Sequence, residues 1–204
     1  MEYWHQTGLD MLNEVSHYEA IYQFMQNKKV LDLGANCGAF TYRALMSGAD
    51  KVIAVEAGRN NFEFLSKQPF MQCFQGRVEL INKAVVGKKK TKSVEFYEGT
   101  FGNTGLSGTQ YRCGLEGFQV YNVDAVWFND LINETRPDIL KIDVEGSELD
   151  FDFKSIPECV KIIAIELHDD LAKIEEITQY ICGRWRNIFS CRTIDNRREI
   201  VASL

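Results

Sequence analysis

The chain has 204 residues, of which 45% are hydrophobic and 25% charged, and this globular composition excludes intrinsic disorder. Its 29 acidic and 23 basic residues give a formal net charge of -6, which argues against a broad nucleic-acid surface. The sequence has no apolar run near the roughly 20 residues that a membrane helix needs, and no signal-peptide pattern. We therefore expect a cytoplasmic protein that binds neither nucleic acid nor membrane, while its oligomeric state stays open.

Helix-like and strand-like segments alternate along the chain. After an amphipathic helix over residues 10–27, a short buried strand is predicted over Lys29–Leu33. Further helices are predicted over residues 39–47, 60–67, 124–133 and 170–182, the third of them capped by Asp124. Further strands are predicted over residues 52–55, 78–81, 93–97, 118–123, 139–143, 160–167, 185–190 and 199–202.

This order predicts an α/β fold, a doubly wound and mostly parallel sheet with helices on both faces. The last two strands are expected to form an antiparallel edge near the C-terminus. The whole chain, residues 1–204, is interpreted as one domain. It would comprise a lead-in helical segment over residues 1–27 and an inserted hairpin over residues 91–123 with a Gly-rich loop.

A glycine-rich turn follows the first strand. Gly34 and Gly38 let the backbone turn sharply and approach a ligand, and the next helix offers free amide donors at its N-terminus. Glu56 ends the second strand, where an acid can accept hydrogen bonds from both ribose hydroxyls of an adenosine ligand. Together these features predict a site for a nucleoside cofactor.

The turn also indicates which cofactor is bound. In a dinucleotide fingerprint a central glycine admits the pyrophosphate, but here Asn36 stands between Gly34 and Gly38. Asp32, before the first glycine, would repel a pyrophosphate and could hold a cationic amino group. S-adenosyl-L-methionine presents such a group, so the pattern favours it over a nicotinamide dinucleotide.

Two segments carry a family resemblance. Residues 30–38, Val-Leu-Asp-Leu-Gly-Ala-Asn-Cys-Gly, resemble motif I of class I S-adenosylmethionine-dependent methyltransferases. Residues 140–148, Leu-Lys-Ile-Asp-Val-Glu-Gly-Ser-Glu, resemble the second signature of the FkbM-type methyltransferases. The resemblance extends over roughly residues 28–170. It implies a Rossmann-like sheet of seven strands and usually O-methylation, often of sugars or natural-product scaffolds.

The same resemblance implies which residues hold the cofactor. Asn82, which follows the third strand, occupies the region that usually approaches adenine. The residues expected to contact the rest of the cofactor are Asp32, Gly34, Asn36, Gly38 and Glu56.

Acidic residues and a histidine end the next two parallel strands. Asp143 and Glu145 follow the fourth, which should neighbour the first, and His168 and Asp169 end the fifth. We expect Asp143 to orient the acceptor or the cofactor amine. We expect His168 to remove the proton, because imidazole titrates near neutrality, with Glu145 as the next candidate. No metal is predicted, although a divalent ion bound by these carboxylates with His168 and Asp169 stays open.

The sequence therefore favours a methyltransferase that acts on a small hydroxylated molecule. Two other classes remain: a non-catalytic subunit that keeps the methyltransferase fold, and a nicotinamide-dependent oxidoreductase. The presence of Gly34, Gly38 and Glu56 argues against loss of the cofactor site, and Asn36 argues against the dinucleotide.

Overall fold

The computed structural model describes residues 15–87, 91–99, 118–194 and 197–204. Its strands are β1 (Lys29–Leu33), β2 (Lys51–Val55), β3 (Val78–Ile81), β4 (Ala84–Val86), β5 (Ser93–Gly99), β6 (Phe118–Trp127), β7 (Ile139–Ile142), β8 (Ile162–His168), β9 (Asn187–Ile194) and β10 (Arg197–Ser203). Its α-helices are α1 (Glu19–Tyr22), α2 (Ala39–Met46), α3 (Arg59–Ser66), α4 (Pro69–Cys73), α5 (Phe128–Thr135) and α6 (Leu171–Arg184). Short 3₁₀-helices cover Val15–Tyr18, Ser147–Asp150 and Phe153–Ser155.

Seven strands form the main sheet, in the order β3-β2-β1-β7-β8-β10-β9. The first five in this order run parallel, whereas β10 is antiparallel to both β8 and β9. The predicted fold class is therefore confirmed, including the antiparallel C-terminal edge. β1 and β7 are direct neighbours, so the loops that follow them meet at one edge of the sheet.

Helices cover both faces of this sheet, as its alternating side chains require. On β1, Leu31 and Leu33 belong to a core cluster that also contains residues of α5 and α6. Val30 points to the other face and packs in a cluster with Phe40 of α2 and with Tyr18. Burial on two faces explains why the central strands read as almost continuous apolar runs.

A second, smaller sheet has the order β4-β6-β5. β5 and β6 pair antiparallel from Ser93↔Asp124 to Gly99↔Phe118, and β4 pairs parallel with β6. Most of the predicted Gly-rich loop lies outside the described residues. The division of the chain into one domain with an inserted hairpin stays a prediction.

The structure corrects two predicted helices. Asp124 caps no helix: it lies within β6, which continues to Trp127 because β4 and β5 pair with it on both sides. The lead-in α-helix ends at Tyr22 rather than at residue 27, and its predicted start lies outside the described residues. Asn27, with φ 59°, donates its amide to Gly48 O as the chain turns into β1.

None of the helices in the described part of the chain combines the length and apolar character needed to cross a membrane.

The first testable prediction concerns Gly34, which follows β1 with φ +76°. A Cβ atom there would lie 1.7 Å from the backbone oxygen of Asp143, so Gly34→Ala must separate the β1 and β7 loops. We expect a loss of about 3 kcal/mol or more in the free energy of unfolding, measured by urea denaturation. Gly183→Ala is the matched control, because a Cβ at Gly183 meets no atom within 4 Å. Equal effects of the two substitutions would contradict this account.

Candidate functional site

A crevice opens at the carboxyl ends of β1, β2 and β7, where ligands bind in sheets of this kind. The space within it, including the open mouth, is about 570 Å³. The structure brings five of the predicted site residues together in its wall: Gly34, Asn36, Glu56, Asp143 and Glu145.

The turn after β1 forms the floor of this crevice. The amides of Gly34 and Ala35 donate to Val55 O, which ties the turn to the end of β2. Gly38 does not line the crevice. A Cβ at that position would lie 2.3 Å from Leu65 Cδ1, so its missing side chain serves the packing of α2 against α3.

Glu56 is nearly buried at the end of β2. Its Oε2 accepts from the Asn36 amide at 2.8 Å and its Oε1 from the Gly58 amide at 2.7 Å. Burial raises the pKa of Glu56 to about 7, although these two amides and the charge of Lys141 act in the opposite direction. A carboxylate that faces a crevice retains lone pairs beyond those two bonds, so it can still accept from ligand hydroxyls.

Asn82 takes a place different from the predicted one. Its Nδ2 donates to Glu56 O at 2.8 Å and to Ala57 O at 3.2 Å, so its side chain is directed to the backbone that follows β2. It is not among the residues that line the crevice. Asn82 therefore positions the segment that carries Glu56.

Asp32 is also directed away from the crevice. It is fully buried, with Oδ2 accepting from Thr41 Oγ1 at 2.6 Å and Oδ1 3.3 Å from Lys141 Nζ. The carboxylate of Asp32 is thus engaged inside the protein, and its contact with a cofactor stays a prediction. The reason is that β1 and β7 pair with Asp32 opposite Lys141, which uses the carboxylate inside the protein.

Lys141 connects this internal pair to the crevice. Its Nζ donates to Gly34 O at 2.6 Å and lies 3.5 Å from Asp143 Oδ2. Burial lowers the pKa of Lys141, but the charges of Asp32 and Asp143 outweigh that effect and the pKa is raised overall. The ammonium group thus stays charged, and it supports both the turn after β1 and the carboxylate after β7.

The loop after β7 turns tightly, with Glu145 at φ 57° and Gly146 at φ 112°. Asp143 and Glu145 face the crevice, whereas Glu148 is fully buried. Glu148 Oε2 accepts from the Gly146 amide at 2.7 Å, which closes the turn, and Oε1 accepts from the His168 amide at 2.9 Å. Glu148 therefore joins the β7 loop to the end of β8.

His168 lies behind this loop and is 1% exposed. Its Nδ1 is 2.8 Å from Glu148 Oε1, and its Nε2 is 3.6 Å from Glu145 Oε2 and 3.5 Å from Glu166 Oε1. Burial lowers the pKa of His168, but these carboxylates, Glu148 first, outweigh it and raise the pKa to about 11. A histidine that keeps its proton at neutral pH does not accept another, so the structure does not support His168 as general base.

Three possible ligand atoms nevertheless converge beside the crevice. One atom each from Asp143, Glu145 and His168 lies within 4.8 Å of the other two. Asp169, with φ 75°, does not belong to this group.

Sequence reasoning missed several residues of the site. Lys83, Asn61, Phe96 and Ser147 also line the crevice. Glu98 is buried beside it and accepts from the amide and the side chain of Asn60. Ser147 and Glu148 had a local signal, because both belong to the signature over residues 140–148. The others depend on how the second sheet packs against α3.

Comparison with known proteins agrees with this geometry. The model of the FkbM methyltransferase domain family matches residues 32–189, whereas the sequence matches none of the curated proteins. The solved FkbM methyltransferase from Methylobacillus flagellatus KT is similar over 87% of this chain and 44% of its own chain, at 16% identity and a TM-score of 0.56. The precorrin 8W decarboxylase of Methanobacterium thermoautotrophicum is similar over 93% of this chain and 90% of its own, at 11% identity and a TM-score of 0.51.

At these identities the solved structures establish the fold alone. The family assignment rests on the family model, which covers far more than half of the chain and includes both the turn after β1 and the acidic loop after β7. The chain therefore belongs to the FkbM family of methyltransferase domains.

Proposed function

We propose that the protein transfers a methyl group from S-adenosyl-L-methionine to a hydroxyl oxygen of a small acceptor. The observation that carries this proposal is a single crevice whose two walls carry different groups. Glu56 and the turn after β1 form one wall, and the carboxylates of Asp143 and Glu145 form the other. When bound, S-adenosyl-L-methionine supplies a methyl group activated by its sulfonium.

The first wall suits the nucleoside part of this cofactor. Glu56 can accept hydrogen bonds from two ribose hydroxyls. The backbone N–H of Asn36 donates to the Glu56 carboxylate and holds it in place. The absence of a side chain at Gly34 lets the turn lie directly against the backbone of Asp143, which brings the two walls together. Asp143 lies at the other end of the crevice, where its side-chain oxygens can orient the cofactor amine or the acceptor.

The second wall suits a neutral, hydroxylated acceptor. Asp143 and Glu145 can accept hydrogen bonds from hydroxyl groups. Together with Glu56 they outnumber Lys83, the one basic side chain among the described residues that line the crevice. This excess of negative charge disfavours a phosphorylated or carboxylated acceptor. His168 supports Glu145 from behind rather than touching the acceptor.

Our second testable prediction is that S-adenosylhomocysteine binds and NAD does not. A ligand at 100 times its dissociation constant stabilises a fold by about 2.7 kcal/mol, which shifts the melting temperature measurably. We expect S-adenosylhomocysteine to raise the melting temperature and NAD to leave it unchanged. Methyl-labelled cofactor incubated with a panel of sugars and polyhydroxylated metabolites should then give a labelled product. A melting temperature that responds to NAD alone would refute the cofactor assignment.

The third prediction follows from the pKa of about 7 for Glu56. Between pH 6 and pH 8 the carboxyl changes from mostly protonated to mostly ionised, and the ionised form accepts ribose hydroxyls better. The affinity for S-adenosylhomocysteine should therefore rise about eight- to tenfold over this interval, as measured by calorimetry. Glu56→Gln should bind more weakly and lose this pH dependence. The same slope in wild type and Glu56→Gln would assign the titration to another group.

The fourth prediction concerns Asp143. Asp143→Asn removes a charged acceptor from the crevice while Asp32 still pairs with Lys141, so the fold should survive. We expect kcat to fall about 10²- to 10³-fold with S-adenosylhomocysteine affinity within a few fold of wild type. Asp50→Asn, an exposed change just before β2 at the opposite edge of the sheet, is the matched control. Equal activity of the two variants would remove Asp143 from the chemistry.

A further inference from the structure

The loop after β7 and the end of β8 bring an unusual set of side chains together. Asp143 and Glu145 each offer a carboxylate oxygen and His168 offers a ring nitrogen, with these atoms within 4.8 Å of one another. Two ligands about 2.1 Å from a shared ion lie about 3 to 4 Å apart. The measured 3.6 Å between His168 Nε2 and Glu145 Oε2 falls in this range.

The histidine is arranged as metal-binding histidines are. Its Nδ1 is held at 2.8 Å by the buried Glu148, and a carboxylate at that position fixes the orientation of the ring. Nε2 would release its proton on binding an ion, as a coordinating histidine must. Nε2 is buried and has no hydrogen-bond partner among the described residues. It points between Glu145 and Glu166, and Arg197 already binds Glu166 at 2.7 Å.

We propose that Asp143, Glu145 and His168 bind a divalent first-row metal ion at the acceptor end of the crevice, with Glu148 as the residue that positions His168. Two carboxylates and one imidazole suit an ion that accepts both oxygen and nitrogen, such as Mn²⁺. Because Asp143 and Glu145 line the crevice, an ion bound to them would be within reach of an acceptor there.

The catalytic use of this ion rests on the proposed methyl transfer, whereas its binding does not. An acceptor hydroxyl that coordinates the ion loses its proton to water more readily, since the positive charge stabilises the oxyanion. The oxygen then bonds to the methyl carbon of the cofactor as the carbon–sulfur bond breaks, and that electron pair stays on sulfur.

The test begins with the purified full-length chain, stripped of metal with EDTA and titrated with MnCl₂ at constant pH. Electron paramagnetic resonance measures the free Mn²⁺. We expect one saturable site per chain. Absence of saturable binding would overturn the proposal.

Two variants locate the site. Glu145→Gln removes a ligand, and Glu148→Gln removes the support of His168, so we expect each to weaken Mn²⁺ binding about 10- to 100-fold. Glu63→Gln, an exposed change on α3, is the matched control and should bind as wild type does. Circular dichroism and the response of the melting temperature to S-adenosylhomocysteine show whether each variant is folded. Folded Glu145→Gln and Glu148→Gln chains that retain wild-type affinity would overturn the assignment.

Activity then separates this proposal from the methyl-transfer proposal. Label transfer that stops in EDTA and returns with Mn²⁺ supports both. Label transfer unaffected by EDTA, in a chain without saturable Mn²⁺ binding, overturns the metal site and leaves the methyltransferase standing. Mn²⁺ binding that follows the variant pattern without any binding of S-adenosylhomocysteine retains the metal site and overturns the proposed function.

Discussion

The ammonium group of Lys141 lies at the junction of the two strands that build the site. It pairs with Asp32 of β1, approaches Asp143 after β7 and donates to the backbone oxygen of Gly34. Removing one partner from a buried ion pair usually costs about 3–5 kcal/mol, because the remaining charge has no compensation. The turn that would approach a cofactor and the loop that would approach an acceptor therefore share a single electrostatic support.

This internal pairing determines which acids face the crevice. Asp32 is used by Lys141 and Thr41, so the charge left for ligands comes from Glu56 on one side and from Asp143 on the other. Burial also changes the proton affinity of Glu56. Glu56 is held by backbone amides and has a raised pKa. The carboxylates of one crevice can thus take different parts in binding and chemistry.

The antiparallel C-terminal edge contributes to the site without lining it. β10 places Arg197 beside Glu166 of β8, and the resulting ion pair, at 2.7 Å, neutralises one of the acids near His168. Glu148 holds the other side of the imidazole. His168 is thereby fixed as a buried cationic group rather than a mobile base. Through Arg197, strand β10 thus contributes a charge to the surroundings of His168 at the end of β8.

The sequence by itself determined the alternation of strands and helices, the sharp turn at Gly34 and the positions of Glu56 and Asp143 at strand ends. These depend on local periodicity, on glycine conformation and on where apolar runs stop, all of which neighbouring residues specify. Only the tertiary structure decided that Asp32 would be enclosed and that His168 would be surrounded by carboxylates. Strand register and loop closure bring distant side chains into contact, and the protonation state of a buried group depends on the sum of those contacts.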